Sequence, residues 1–218
     1  MTVNLRHLRV FLAVADSGSI TRAAEAALVS QPAVTQAIAK LEREAETALF
    51  QRTPGGLHAT PAGEVLAGRA RRAFGFIDAA LADLAPRLRL TATAAQLRAL
   101  IAVREAENFT LAARRLGIAQ PTVHRAITGL EQEAGRALFE RTSYGMIATR
   151  AAQALARAAR LAFAELAQAE ADVAETLGRE AGRIVVGAMP LSRATVLPAA
   201  IARFREQGRT LPISVRDG

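Results

Sequence analysis

Two short stretches set amide, hydroxyl, methyl and guanidinium groups in one pattern. They are Gln31-Pro32-Ala33-Val34-Thr35-Gln36 and Gln120-Pro121-Thr122-Val123-His124-Arg125. Proline is tolerated in the first turn of a helix, where its missing N–H would have no partner anyway. Val34, Ile38 and Leu41 follow at helical spacing and predict a buried face. Ala33, Thr35, Gln36, Lys40 and Arg43 then share the opposite face, polar and short-chained near its start. A helix entering the DNA major groove needs such a start, because its first residues approach base edges. Beyond it, Arg52 and Thr53 stand where a hairpin could touch backbone phosphate.

The surrounding residues supply elements to position these groups. Leu5, Leu8, Phe11, Leu12 and Ala15 predict an amphipathic first helix, broken by Asp16-Ser17-Gly18. Ser19 is a good cap for a second helix, whose Ala23, Ala24 and Ala27 permit close approach of a neighbour. Ser30 is a candidate cap for the third. Leu49-Phe50 returns to the core, and Arg52 to Thr60 reads as two short strands around a glycine turn. Thr60-Pro61 opens a long fourth helix. A plain helical bundle with a hairpin is the competing reading.

The whole arrangement occurs twice. Leu8 to Gly63 align without a gap on Leu97 to Ala152 at an offset of 89, and 25 of the 56 pairs are identical. A period this long means a duplicated domain rather than a solenoid, so each copy needs its own core. Asn108 replaces Ser19 as an equally good cap. Ala119 replaces Ser30, and that lost cap costs about 1 kcal/mol.

Composition narrows the function classes. The 218 residues carry +8 net charge, with 51% apolar and 4% aromatic side chains. The Ala- and Leu-rich texture favours helix. A basic chain attracts nucleic acid or an anionic membrane, although arginine-rich composition alone does not choose. No cysteine is present, which removes disulfides, thiolate metal sites and cysteine nucleophiles. No apolar run reaches membrane-span length, and the first residues lack a signal-peptide core, so a soluble cytoplasmic protein is expected. None of His7, His58 and His124 is spaced as a metal pair, and neither metal nor cofactor is expected. There is no Gly-rich phosphate loop, nucleophile elbow or convincing carboxylate pair, so no enzyme is expected.

Ser19-Ile20-Thr21-Arg22-Ala23-Ala24, then Val29 to Thr35, Ile38, Leu41-Glu42 and Leu49-Phe50-Gln51-Arg52, resembles the DNA-binding domain of LysR-type transcriptional regulators. The resemblance implies a winged helix-turn-helix, a long linker helix that mediates dimerisation, and an effector-binding domain of two α/β subdomains. The expected fold is mainly α. Two winged helix-turn-helix domains are each followed by a linker helix, and a short C-terminal β-α-β fragment of the α/β effector domain ends the chain. The expected boundaries are 1–60, 61–89 (linker helix and connector), 90–149, 150–178 and 179–218. The family norm is one helix-turn-helix per chain, and here there are two.

Carried over residue by residue, the first reader uses Gln31, Pro32, Ala33, Thr35 and Gln36, and the second Gln120, Pro121, Thr122, His124 and Arg125. Glutamine pairs with adenine, methyl groups meet thymine, and arginine favours guanine. The two copies should therefore prefer different half-sites. Arg52, Thr53, Arg141 and Thr142 are the wing contacts. Gln31 and Gln120 could instead only cap their helices. Lys40, Arg43 and Arg114-Arg115 fit solvated faces or backbone contacts.

Apolar stripes continue through both linkers, from Val65 to Leu84 and from Leu155 to Val173. Two such narrow helices suit antiparallel packing. The Arg87–Ala95 connector spans at most ~30 Å, enough to let both linkers pair within one chain. An intrachain pseudo-dimer and an intermolecular homodimer are the two arrangements. The tail from Gly182 to Arg216 reads as strand, helix, strand, about 35 residues of a domain that needs on the order of 200. Pro190 and Ser192, between strand and helix, would edge a small-molecule effector pocket by resemblance. Competent effector binding is not expected without the rest of that domain. The expected partner is double-stranded DNA, with no membrane. The function is then a sequence-specific, effector-responsive transcription regulator. The alternatives are a non-specific architectural protein and a molybdate-type regulator.

Overall fold

The computed structural model describes residues 3–143, 145–179, 184–189, 192, 194–207 and 210–217. The first unit opens with α1 (Leu5–Ser17). Asn4 caps it by accepting the His7 amide, and Gly18 ends it in the left-handed region. Its buried residues are Leu5, Leu8, Val10, Phe11 and Val14. Leu12 and Ala15, expected on that face, are only half-buried, because α1 packs on several helices rather than one. Ser19 and Ser30 cap α2 (Ile20–Ala26) and α3 (Gln31–Ala45) through the Arg22 and Ala33 amides. Val34, Ala37, Ile38 and Leu41 form the inner face of α3.

Strands β1 (Phe50–Thr53) and β2 (Gly56–Ala59) pair antiparallel, Phe50 opposite Ala59 and Thr53 opposite Gly56. The Leu57 amide donates to the Gly18 carbonyl at 3.0 Å, which ties the hairpin to the end of α1. Phe50 turns inward onto Phe11, ring centroids 5.1 Å apart. Capped by Thr60, α4 (Pro61–Leu84) leaves the unit. A Cβ on Gly63 would stand 2.1 Å from the Leu49 carbonyl oxygen, so only glycine lets α4 start this close.

The second unit repeats the plan with α6 (Ala94–Ala106), α7 (Phe109–Leu116), α8 (Gln120–Ala134), β3 (Phe139–Thr142), β4 (Gly145–Ala148) and α9 (Arg150–Thr176). The contacts repeat as well: the Met146 amide donates to the Glu107 carbonyl at 3.0 Å, as Leu57 does to Gly18. Asn108 caps α7, whereas Ala119 gives α8 no side-chain cap. The connector holds a one-turn helix, α5 (Leu88–Thr91), that the sequence reading did not anticipate. So short a helix is unstable alone. Here Leu88 is fully buried and anchors it. Thr93 and Gln96 then form a capping box that starts α6 at Ala94.

Among the described residues, helices α4 and α9 make the most extensive contact between two elements. Arg69, early in α4, meets Glu165 and Asp172, late in α9. At the opposite end, Arg136, just after α8 in the second unit from which α9 departs, donates to the Asp83 carbonyl near the end of α4 at 2.8 Å. The two helices therefore run antiparallel within one chain. Leu66, Ala70, Ala73, Phe74, Ile77 and Leu81 of α4, and Leu155, Ala159, Ala162, Leu166, Ala169 and Val173 of α9, are buried. Their many alanines allow the close approach.

In the tail, β5 (Ile184–Ala188) pairs in parallel with β6 (Ile213–Asp217), Ile184 opposite Ile213. Between them, α10 (Val196–Glu206) buries none of its residues. Among the described residues, no helix is long and apolar enough to cross a membrane.

Candidate nucleic-acid interface

Both candidate reading helices present the residues expected of them. On α3, Gln31, Pro32, Ala33, Thr35 and Gln36 are all exposed, while Val34 between them is fully buried. On α8, Gln120, Pro121, Thr122, His124 and Arg125 are exposed around fully buried Val123. The amphipathic split that buries one side of each helix leaves its polar side free. Neither Gln31 nor Gln120 is the capping residue, since Ser30 and Ala119 hold those positions.

The two faces differ in local chemistry. Thr35 donates its hydroxyl to the Gln31 carbonyl at 3.2 Å. His124 has its Nδ1 3.3 Å from the Thr128 hydroxyl, and its ring lies 5.4 Å from that of Phe109. Positive charge is also placed differently. Arg6, His7, Lys40 and Arg43 line a cleft of about 440 Å³ between α1 and α3. The 89-residue shift replaces them with Ala95, Gln96, Gly129 and Gln132. Arg114 and Arg115 lie exposed in the last turn of α7, where α2 has Glu25 and Ala26. Burial, together with the nearby Lys40 and Arg6, pushes the His7 imidazole below its ordinary value, against a smaller upward pull from Glu44.

In each hairpin the arginine and threonine divide the work. Arg52 and Arg141 are exposed. Thr53 and Thr142 are half-buried and donate their hydroxyls to the Gly56 and Gly145 carbonyls at 3.3 and 3.1 Å. Those hydroxyls shape the turn that carries the arginines.

Several positioning residues were not identified from the sequence. Glu42 Oε1 accepts the Leu49 and Phe50 amides, holding the end of α3 to β1, and Glu131 does the same for Leu138 and Phe139. The identity of Glu42 and Glu131 within the repeat was the available signal. Arg9 pairs with Asp78 and lies 4.0 Å over the Phe74 ring, docking α1 on α4. Its repeat counterpart Arg98 lies 5.2 Å over Phe163. Of the candidate effector residues, Ser192 donates its hydroxyl to the Met189 carbonyl at 2.8 Å, and Pro190 lies outside the described residues.

The family model for the bacterial regulatory helix-turn-helix protein, lysR family, matches residues 5–64 and again 94–153. The HTH-type transcriptional regulator GalR of Pseudomonas putida is 36% identical over 212 residues, covering 94% of this chain and 52% of the relative. The HTH-type transcriptional regulator BudR of Klebsiella aerogenes is 44% identical over 79 residues, covering 36% of this chain and 55% of the relative. The chain thus spans about half the length of these relatives. Among solved structures, a CbnR_DBD–DNA complex is 38% identical, covers 38% of this chain and 95% of that chain, and superposes with a TM-score of 0.34. The two matched segments coincide with the two repeated units, and the chain belongs to the LysR family of bacterial regulatory helix-turn-helix proteins with the family's helix-turn-helix present twice.

Proposed function

We propose that the chain is a sequence-specific DNA-binding transcription regulator in which one polypeptide carries two unlike readers. The observation that carries this reading is the pair of exposed polar faces on α3 and α8, each backed by a buried valine and followed by a hairpin. In this reading residues 1–60 and 90–149 are winged helix-turn-helix domains, 61–89 and 150–178 are their linkers, and 179–218 begin an effector domain. Gln31, Pro32, Ala33, Thr35 and Gln36 meet base edges from α3. Gln120, Pro121, Thr122, His124 and Arg125 do so from α8. Arg52 and Arg141 reach phosphate from the wings, with Thr53 and Thr142 holding the turns. The antiparallel packing of α4 on α9 supports an intrachain pseudo-dimer that offers both readers to one DNA site. Pro190 and Ser192 mark the edge of an effector pocket that needs further strands and helices to close.

The readers differ where bases would be read. The Ala33, Thr35 and Gln36 set suits A·T pairs, and Arg125 suits guanine. Binding-site selection should return two dissimilar half-sites, with guanine enriched only in the one protected by α8. Arg125→Ala should relax that guanine preference by about 1–3 kcal/mol. A perfect palindrome, or equal affinity for selected and random duplex, would refute the reading.

A further inference from the structure

We propose that the α4–α9 interface is charge-coded for unlike helices: α4 takes α9 of its own chain and refuses a second α4. Arg69 donates to Asp172 at 2.7 Å and to Glu165 at 2.9 Å, and Arg72 donates to Glu165 at 2.9 Å. Gln168 holds the other Asp172 oxygen at 2.8 Å. The Arg69, Glu165 and Asp172 side chains are less than a quarter exposed, so this is a partly desolvated network rather than a loose surface pair.

The repeat shows what a like pairing would do. Shifted by 89 residues, Arg69 and Arg72 become Ala158 and Leu161, while Glu165 and Asp172 become Phe76 and Asp83. One end of the antiparallel pair is therefore ionic and the two-fold-related end is largely apolar. Phe76 and Leu161 remain 40% and 51% exposed. In an α4–α4 pair each Arg69 and Arg72 would meet Phe76 and one Asp83. In an α9–α9 pair Glu165 and Asp172 would meet Ala158 and Leu161 at the positions that Arg69 and Arg72 fill in the unlike pair. A half-buried charge stripped of its partner is costly, so only the unlike pair satisfies the network.

The same features favour the chain's own α9 over that of a second copy. Buried Leu88, the Arg136 contact to the Asp83 carbonyl and the Thr91 hydroxyl donating to Glu133 at 2.5 Å lock the second unit to the end of α4. A short anchored connector gives the in-chain α9 a high effective concentration. The linker helices of this chain are thus closed to their own like halves in a second copy.

The test uses the full chain without DNA, so its outcome is separate from whether the readers are correctly assigned. Ala73 is buried near the middle of α4, where an α4–α4 pair would bring it to its mate. The chain has no native cysteine, so Ala73→Cys introduces a single thiol. On oxidation the variant should stay single-chain. The double reversal Arg69→Glu/Arg72→Glu should lower Tm by roughly 3–8 °C. Adding Glu165→Arg/Asp172→Arg should recover most of that loss, and this four-fold swap decides the matter even if the double reversal fails to fold. Disulfide-linked dimers of the Ala73→Cys chain, a costless double reversal, or a four-fold swap no more stable than the double reversal would overturn the proposal.

Discussion

The Glu42 carboxylate accepts the Leu49 amide at 2.9 Å, joining the end of α3 to the start of β1 across seven residues. Glu131 repeats the bond with Leu138 at 2.8 Å. Leu49 and Leu138 are fully buried, so losing the acceptor strands an amide away from water. Glu42→Ala and Glu131→Ala should each cost about 1–3 kcal/mol. Gln at either position should cost less, because its carbonyl still accepts. Urea unfolding of the three forms of each site is the measurement.

The two copies disagree at three helix ends, and one of each pair is strained. Leu28, Glu46 and Glu107 have φ of 54°, 53° and 51°, while their counterparts Gly117, Gly135 and Gly18 hold nearly the same angles without a side chain to clash. Leu28→Gly, Glu46→Gly and Glu107→Gly should each stabilise the chain by about 0.5–1 kcal/mol, the steric relief exceeding the added unfolded-state entropy. The reverse change, Gly117→Leu, should destabilise it. Thermal unfolding orders the four variants.

The missing cap of α8 is equally specific. Ser30 accepts the Ala33 amide, and Ala119 offers no acceptor at the same place. Ala119→Ser should stabilise the second unit by about 0.5–1 kcal/mol, and Ser30→Ala should destabilise the first by about as much. Hydrogen exchange at Thr122 and Ala33 localises each effect to its own helix.

The wing arginines predict a salt signature. If Arg52 and Arg141 each neutralise one phosphate, replacing either by Ala lowers the magnitude of the slope of log K against log salt by about 0.9. Affinity should drop similarly on every duplex sequence. Unchanged slopes in a salt titration of both variants would remove these residues from the interface.

Acid should loosen the chain in two stages. Burial depresses the His7 imidazole below its ordinary 6.5, so the unfolded chain takes up this proton more readily and stability falls as pH drops through that range. His7→Gln removes this first stage. Hydrogen bonds from Arg69 and then Arg72 hold the Glu165 carboxyl below its ordinary 4.5. Burial raises the Asp172 carboxyl, but bonds from Gln168 and Arg69 outweigh it and leave it below 3.8. Their stabilisation is present at neutral pH and is lost as pH falls through and below the carboxylate range. Denaturant midpoints at pH 7, 5.5, 4 and 3 separate the stages, and Arg69→Gln should flatten the second.

Much of the architecture is local and was therefore legible in the residues. Capping by Ser19, Ser30, Thr60 and Asn108, the glycine end of α1, and the stripe from Leu155 to Val173 depend on neighbours three or four positions away. The 89-residue repeat then assigned the same unit twice, so the exposed faces of α3 and α8 could be anticipated together. Some local expectations shifted, such as Leu12 and Ala15 on α1, because three neighbouring helices rather than one set the buried face. What only the tertiary structure decided lies between distant residues. Glu42 stood in the sequence only as part of the repeated motif, and its role as an acceptor arises because Leu49 folds back to bring its amide within 2.9 Å. The turn at Leu88 forms because that leucine finds a buried site. Arg69 is more than ninety residues from Glu165, and no periodicity relates them. Their pairing exists because two alanine-lined helix faces meet antiparallel, and that meeting makes unlike ends of a duplicated chain complementary.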